Sequence, residues 1–195
     1  MPHLSIRKNF SYTLVQYQGF SMLECLVVVA IVVILSSFAI TGFYAINNKY
    51  QAKSVLQEIK NFLHLGKQYA LHHNATITLY KSKDRKSCSG DWHEGLLLFI
   101  DHNANRKLDV EDKIIRVHKF AKRGGKIELK AFPSKNYMQF RNHGIINSSN
   151  GSFVYCHGNI SKALIVNNFG TIRSSYDSDG DGFEEDARGN NIVCD

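Results

Sequence analysis

The sequence predicts an α+β fold in which one long N-terminal helix is followed by a small head of antiparallel strands. Residues 25–46 contain no charged side chain, and residues 47–73 repeat apolar side chains at helical spacing. From residue 74 onward, short β-type runs alternate with turn residues. We therefore expect a helix with an apolar first half and an amphipathic second half, packed on sheets.

The apolar half, residues 20–46, has the properties of a transmembrane helix. Its 22 uncharged residues would span about 33 Å, enough to cross a hydrocarbon core of about 30 Å. It is longer than the apolar stretch of an ordinary secretory signal, and no Ala-x-Ala cleavage site follows it. Two basic residues precede it and three lysines follow closely, so the positive-inside rule does not assign its orientation.

The amphipathic half, residues 47–73, continues the helix without a proline and needs a partner for its apolar face. Residues 74–195 supply that partner as an extracytoplasmic β-rich head with an acidic C-terminal tail. The predicted apolar face of the helix consists of Ala52, Val55, Leu56, Ile59, Phe62, Leu63 and Ala70. The seven predicted strands are 75–80, 95–100, 113–118, 126–130, 137–141, 152–157 and 163–168.

Charge is distributed unevenly along the head and its tail. Residues 46–176 carry 21 Lys and Arg against 9 Asp and Glu, a net charge of +12. The last 19 residues carry seven acids and one Arg, a net charge of −6. This asymmetry is typical of a basic body that contacts polyanions, of a tail that folds onto the body, or of a solubilising surface.

A single carboxylate, Glu24, lies at the edge of the apolar run, five residues after Gly19. A charge there costs about 2–3 kcal/mol unless it has a partner. A cut between Gly19 and Phe20 would create an α-amino group close to Glu24. In a bundle of such helices, Glu24 of one subunit can neutralise the amino terminus of the next, which would also fix their axial stagger.

The run GFSMLECLVVVAIVV resembles the processing site of the type IV prepilin family. The resemblance implies that residues 1–19 are a leader removed by a prepilin peptidase, that Phe20 is N-methylated, and that Glu24 acts in assembly. It also implies an inner-membrane anchor with a periplasmic head, which reaches the extracellular pilus tip after assembly. The partners would be the membrane and other minor and major pilins or pseudopilins.

Residues 74–101 and 144–173 resemble the FimT/GspH group of minor pilins and pseudopilins, including a W-x-x-G turn at Trp92 and Gly95. We expect Trp92 to be structural, anchoring the turn before a buried strand. The resemblance implies a minor pilin of a type IV pilus. The alternatives are a pseudopilin of a type II secretion system and a DNA-binding tip subunit for natural transformation.

The chain departs from this group at Tyr80, where many FimT-like sequences have a cysteine that pairs with the equivalent of Cys88. Three cysteines then remain outside the apolar segment, and three pairings are possible. We favour Cys156 with Cys194, which would tie the acidic tail to the body in an oxidising compartment and leave Cys88 free.

A second departure concerns binding of double-stranded DNA. FimT-like proteins implicated in DNA uptake carry a Gly-Arg-x-Arg element, whereas residues 170–173 read Gly-Thr-Ile-Arg, so one Arg is lost. Each lost phosphate contact weakens binding. It also reduces by about 0.9 the steepness with which the logarithm of the affinity falls with the logarithm of the salt concentration. The candidate DNA-binding residues are Arg173, Lys81, Lys83, Arg85 and Lys86.

Two acidic segments have the spacing of calcium loops. The first combines alternate aspartates with Gly182 as the turn residue, but Arg188 stands where an EF-hand has its bidentate Glu. Its candidate ligands are Asp177, Asp179, Asp181 and Glu185. The second, which begins at Asp101, reads more simply as a polar turn. The nine His show no HExxH or paired-ligand spacing, so we predict no enzyme and no cofactor other than Ca²⁺.

Overall fold

One long helix and eight strands make up the described part of the chain. The computed structural model describes residues 19–121, 125–132, 134–146 and 150–194, without the side chains of 38–42, 44 and 45. Residues 1–18 of the predicted leader lie outside this part. The α+β class is confirmed. The elements are α1 Met22–His73, β1 Ile77–Lys81, β2 Gly95–Ile100, β3 Lys113–Lys119, β4 Lys126–Ala131, β5 Tyr137–Phe140, β6 Gly151–His157, β7 Ile160–Val166 and β8 Ile172–Ser174.

The chain divides into two compact units, Met1–Phe43 and Tyr44–Asp195. In the first unit, residues 22–37 of α1 are all exposed, including Leu26 and Ile34. Among the described residues, no helix is both long enough and apolar enough to cross a membrane.

The second unit, which we call the head, contains two four-stranded antiparallel sheets. Sheet A has the strand order β3-β2-β1-β5, and sheet B has the order β4-β6-β7-β8. The second half of α1 contributes its apolar face to a core shared with both sheets. Every buried hydrophobic residue among those described lies between residues 52 and 192, so the head carries this core by itself.

The predicted helical face is largely the buried face. Six of its residues are buried and Val55 packs against them at the margin. Gly66 lies on the same face, where a Cβ would come within 3.2 Å of Leu98 and Phe140 in sheet A. Close approach of the helix to sheet A therefore accounts for this glycine in the middle of a helix.

All seven predicted strands form, with boundaries that differ by up to three residues. The largest difference is in β7, which begins at Ile160 because a tight connection at Gly158 and Asn159 returns the chain directly from β6. The sequence pattern does not predict the three-residue strand β8. It has too few residues for a recognisable alternation.

Trp92 is structural, as predicted. It is 4% exposed, its ring forms a T-shaped contact with the ring of Phe153 at a centroid distance of 5.0 Å, and its Nε1 donates to the carbonyl of Lys135 at 2.8 Å. Trp92 therefore joins the turn before β2 to sheet B and to the segment before β5.

We predict that Gly66→Val lowers the free energy of unfolding of the head by about 1–3 kcal/mol, because the added methyl groups overpack the contact with sheet A. Chemical denaturation of residues 46–195 measures this change. Gln68→Val, at an exposed position two residues away, is the control and should stay within about 0.5 kcal/mol. Equal stability of the Gly66 variant and wild type would contradict the close packing.

Candidate functional sites

The predicted processing site lies at the start of α1. Among the described residues, no atom lies within 4 Å of a Cβ added at Gly19, and Phe20 is 78% exposed. The Ser21 Oγ accepts a hydrogen bond from the backbone N–H of Glu24 at 3.2 Å. Ser21 and Glu24 thus have the S-x-x-E spacing of a helix N-cap, a local signal that is present in the sequence.

The acidic tail folds back onto sheet B. The structure contains the predicted disulfide between Cys156 and Cys194, which are 38 residues apart in the sequence. Close to it, Ile192 packs on Val154 and Ala163, which lie on the face of sheet B that points away from the core. The tail therefore covers part of this outer face.

A second attachment holds the tail at Glu184. The Glu184 carboxylate accepts hydrogen bonds from Lys162 Nζ and from the hydroxyl of Ser175. That hydroxyl also accepts a bond from the backbone N–H of Ala163 at 2.7 Å. These bonds and the disulfide fix the tail at two separate places.

Cys88 is unpaired, as the sequence analysis expected, and is partly buried. Burial is the main cause that raises the pKa of its thiol, so the thiolate is disfavoured at neutral pH. Tyr80 lies near enough for the two groups to influence each other, and burial likewise raises its pKa.

The four predicted calcium ligands converge. One carboxylate oxygen from each of Asp177, Asp179, Asp181 and Glu185 lies within 4.8 Å of all the others. Glu185 is buried and accepts bonds from the backbone N–H of Ser178, while the three aspartates are exposed. Oxygen donors of this kind suit a hard cation such as Ca²⁺.

The second acidic segment is a structural turn. Asp101 is fully buried, and its carboxylate accepts bonds from Thr78 Oγ1 at 2.8 Å and from Gln139 Nε2 at 2.9 Å. It also accepts a bond from the backbone N–H of Arg106 at 2.9 Å. These bonds satisfy the buried charge and close the loop between β2 and β3, as expected of a polar turn.

The predicted basic cluster on the loop after β1 is partly neutralised. Lys81 lies 3.8 Å from Asp91 and Lys83 lies 3.7 Å from Glu94. Asp84 closes the loop and lies among the basic residues. Hydrogen bonds from the backbone of Lys86 and from the side chain and backbone of Ser87 lower the Asp84 pKa to about 2. Two of the four predicted cations are therefore paired with carboxylates.

Arg173 lies on β8 and is exposed. The strand register aligns it with Ile165, Ile165 with Ser152, and Ser152 with Lys130. Directly paired residues point to the same face of a sheet, so Lys130 and Arg173 both lie on the outer face of sheet B. Three interstrand spacings, about 14 Å in all, separate them.

A groove of about 870 Å³ runs beside Lys130 on this outer face. Cations from three parts of the head reach it, and Phe132, which is 83% exposed, lies at its edge. The basic residues that line it include Lys81, Lys126, Lys130, Lys135 and Arg188, and the acids are Asp91, Glu128 and Asp186. Lys81 forms an ion pair with Asp91, and Lys126 forms one with Glu128. Of these basic residues only Lys81 is predicted from the sequence, because the tertiary fold brings the others together.

The fold resembles that of a solved pilin. The crystal structure of the Pseudomonas aeruginosa type IV minor pilin FimU, in space group P21, matches with a TM-score of 0.51 and 17% identity over 65% of this chain and 89% of that chain. The crystal structure of the same protein in space group P65 matches with a TM-score of 0.48 and 16% identity over 64% of this chain and 92% of that chain. No curated protein matches the chain in sequence.

Two family models match the sequence. The prokaryotic N-terminal methylation motif covers residues 16–40, and the type II transport protein GspH model covers residues 56–170, more than half of the chain. Pilin and GspH proteins are structural proteins, which confirms that the chain is not an enzyme. The resemblance to pilin-like proteins of the FimT/GspH type is thus confirmed, and the chain belongs to the GspH family.

Proposed function

We propose that this chain is a minor pilin of a type IV pilus, cut after Gly19 by a prepilin peptidase and N-methylated at Phe20. The first half of α1 anchors it in the inner membrane with the head in the periplasm, and assembly with other pilins carries it to the pilus tip. The observation that carries this proposal is the methylation motif over residues 16–40, which contains Gly19, Phe20 and Glu24.

The exposed surface of the first half of α1 supports this role. Side chains 22–37 present apolar groups on all sides, which suits lipid or the stems of other subunits rather than water. The hydroxyls of Ser36 and Ser37 donate to the carbonyls of Val32 and Val33 at 2.7 and 2.9 Å. Polar groups that are satisfied within the helix are compatible with a hydrocarbon environment.

Glu24 has two possible tasks in this arrangement, and they can be separated. Its backbone N–H is capped by Ser21, and its negative charge in the first turn interacts favourably with the helix dipole. The assembly role instead requires the charge to face the methylated amine of Phe20 on the next subunit. Removal of the charge tests assembly, and removal of the Ser21 hydroxyl tests the cap.

A pseudopilin of a type II secretion system is the alternative, because the family model carries that description. Both machines would use the same stem and the same cleavage. Loss of surface pili on deletion of the gene supports the pilus, and loss of protein secretion into the medium supports the alternative.

We propose in addition that the outer face of sheet B binds double-stranded DNA. Lys130 and Arg173 lie in one row across that face, and Lys135 and Arg188 line the adjacent groove. This row gives Arg173 the second cation that the altered Gly-Thr-Ile-Arg element lacks. The partly neutralised loop after β1 contributes less.

We also propose that the tail loop holds a Ca²⁺ ion through Asp177, Asp179, Asp181 and Glu185. The support is the convergence of the four carboxylates. The loop is already closed, since the Asp177 carboxylate accepts bonds from the backbone of Gly180 and Gly182. A cation there would offset the repulsion between the clustered charges.

For assembly, we expect that Glu24→Gln abolishes incorporation into sheared surface pili, whereas Ser21→Ala retains it. The first change removes the charge that pairs with the neighbouring amine, and the second removes only the cap. Immunoblots of sheared fractions measure incorporation, and N-terminal sequencing of membrane material should begin at methylated Phe20. Normal incorporation of the Glu24 variant, or a chain that begins at Met1, contradicts the proposal.

For DNA, we expect that Lys130→Gln and Arg173→Gln each weaken binding by the head regardless of sequence and reduce the salt slope by about 0.9. Fluorescence titration of residues 46–195 with a duplex at two salt concentrations measures both quantities. Lys113→Gln, on the edge strand of sheet A, is the control and should leave the slope unchanged. An equal effect of all three variants argues against a specific face.

For calcium, we expect Ca²⁺ to raise the unfolding temperature of the head, with a stabilisation of about 2.7 kcal/mol at one hundred times the dissociation constant. Asp179→Asn should abolish this shift, and Asp91→Asn, in the loop after β1, should not. Thermal melts with Ca²⁺, with Mg²⁺ and with a chelator give the comparison. Identical melts in all three conditions reject the site.

A further inference from the structure

A second groove lies between the helix and sheet B, entirely within the head. Its volume is about 680 Å³. One wall is the stretch of α1 from Ile46 to Lys60, and the other comes from β7, β8 and Glu184. Ile46 and Tyr50, which are 56% and 68% exposed, give the helical wall an apolar and aromatic surface. The groove begins where the uncharged part of the sequence ends.

The groove carries an excess of positive charge. Lys49, Lys53 and Lys60 line its helical wall. Among the described lining residues the acid is Glu184, and it is already engaged by Lys162 and the Ser175 hydroxyl. The three helical lysines are therefore available to an anion from outside the chain.

The position of these lysines is unusual for the proposed topology. Lysines next to a membrane helix are normally concentrated on the cytoplasmic side, whereas these would lie on the periplasmic side. Along the helix, Lys49 is about 4.5 Å and Lys53 about 10 Å beyond Ile46. The polar layer of a bilayer is about 5–8 Å deep on each side, so both long side chains reach lipid phosphates.

We propose that this groove binds the headgroup of an anionic phospholipid, with Lys49 and Lys53 on the phosphate and with Ile46 and Tyr50 against the glycerol and upper acyl chain. The inference rests on the proposed membrane anchor. Lys60, about 21 Å beyond Ile46, lies outside the headgroup layer and contributes little. Binding of this kind holds the head against the membrane surface before assembly.

The groove is tested first on the head alone, residues 46–195, which carries the described core. Sedimentation with vesicles of phosphatidylcholine, with or without phosphatidylglycerol, measures binding. We expect binding only with phosphatidylglycerol, and about thirtyfold weaker binding for the Lys49→Gln, Lys53→Gln double variant. Lys60→Gln, in the same groove, should change the affinity by less than about twofold. The reason is that Lys60 lies farther from the lipid phosphates than the Debye length, which is about 8 Å at physiological ionic strength.

The full chain in the same vesicles supplies the second readout. Reductive methylation should modify Lys49 and Lys53 more slowly when phosphatidylglycerol is present, with Lys60 and Lys83 unchanged. Glycerol 3-phosphate in solution should not reproduce this protection. Any of three results overturns the proposal. These are protection of the lysines by glycerol 3-phosphate, equal binding to both kinds of vesicle, and an equal loss of affinity in the Lys60 variant and the double variant.

Failure of the anchor and failure of the groove give different results. If the anchor is wrong, alkaline extraction releases the full chain from membranes whatever the lipid. If the groove is wrong, the full chain stays in the membrane but the head shows no preference for phosphatidylglycerol. A melt of each variant confirms that the substitutions leave the head folded.

Discussion

The burial of one face of α1 is the constraint on which the rest of the head depends. Two sheets of short strands cannot bury their inner faces by themselves, and the helix supplies residues from Ala52 to Ala70 to both. Gly66 allows close approach to sheet A. Toward sheet B, Lys67 Nζ donates to the carbonyls of Phe169 and Gly170 at 3.0 and 3.1 Å, near the start of β8. Contacts with α1 therefore position both sheets.

The same helix accounts for the division of roles along the chain. Its first half exposes apolar side chains in all directions, and its second half buries one face and leaves lysines on the other. Under the proposed function, a subunit built in this way would join a stem for assembly to a head whose outer sheet face binds DNA. The tail, fixed by a disulfide and by Glu184, covers part of that outer face and shapes the groove beside Lys130.

Local signals in the sequence were sufficient for most of the fold. Helical periodicity identified the buried face of α1, and β-branched and aromatic runs identified seven strands. The short strand β8 carried no such signal, and the boundaries of β7 depended on a two-residue connection. The grouping of Asp177 with Glu185 followed from loop spacing alone. The row from Lys130 to Arg173 did not, because only the pairing of four strands brings these residues to one face.

The most direct measurement compares two fragments, residues 46–195 and residues 74–195. If the face of α1 completes the core, the longer fragment unfolds cooperatively on heating, and its buried strand amides are protected from hydrogen exchange. The shorter fragment then shows neither property. A cooperative transition and protected strands in residues 74–195 would contradict the account, because the sheets would then be stable without the helix.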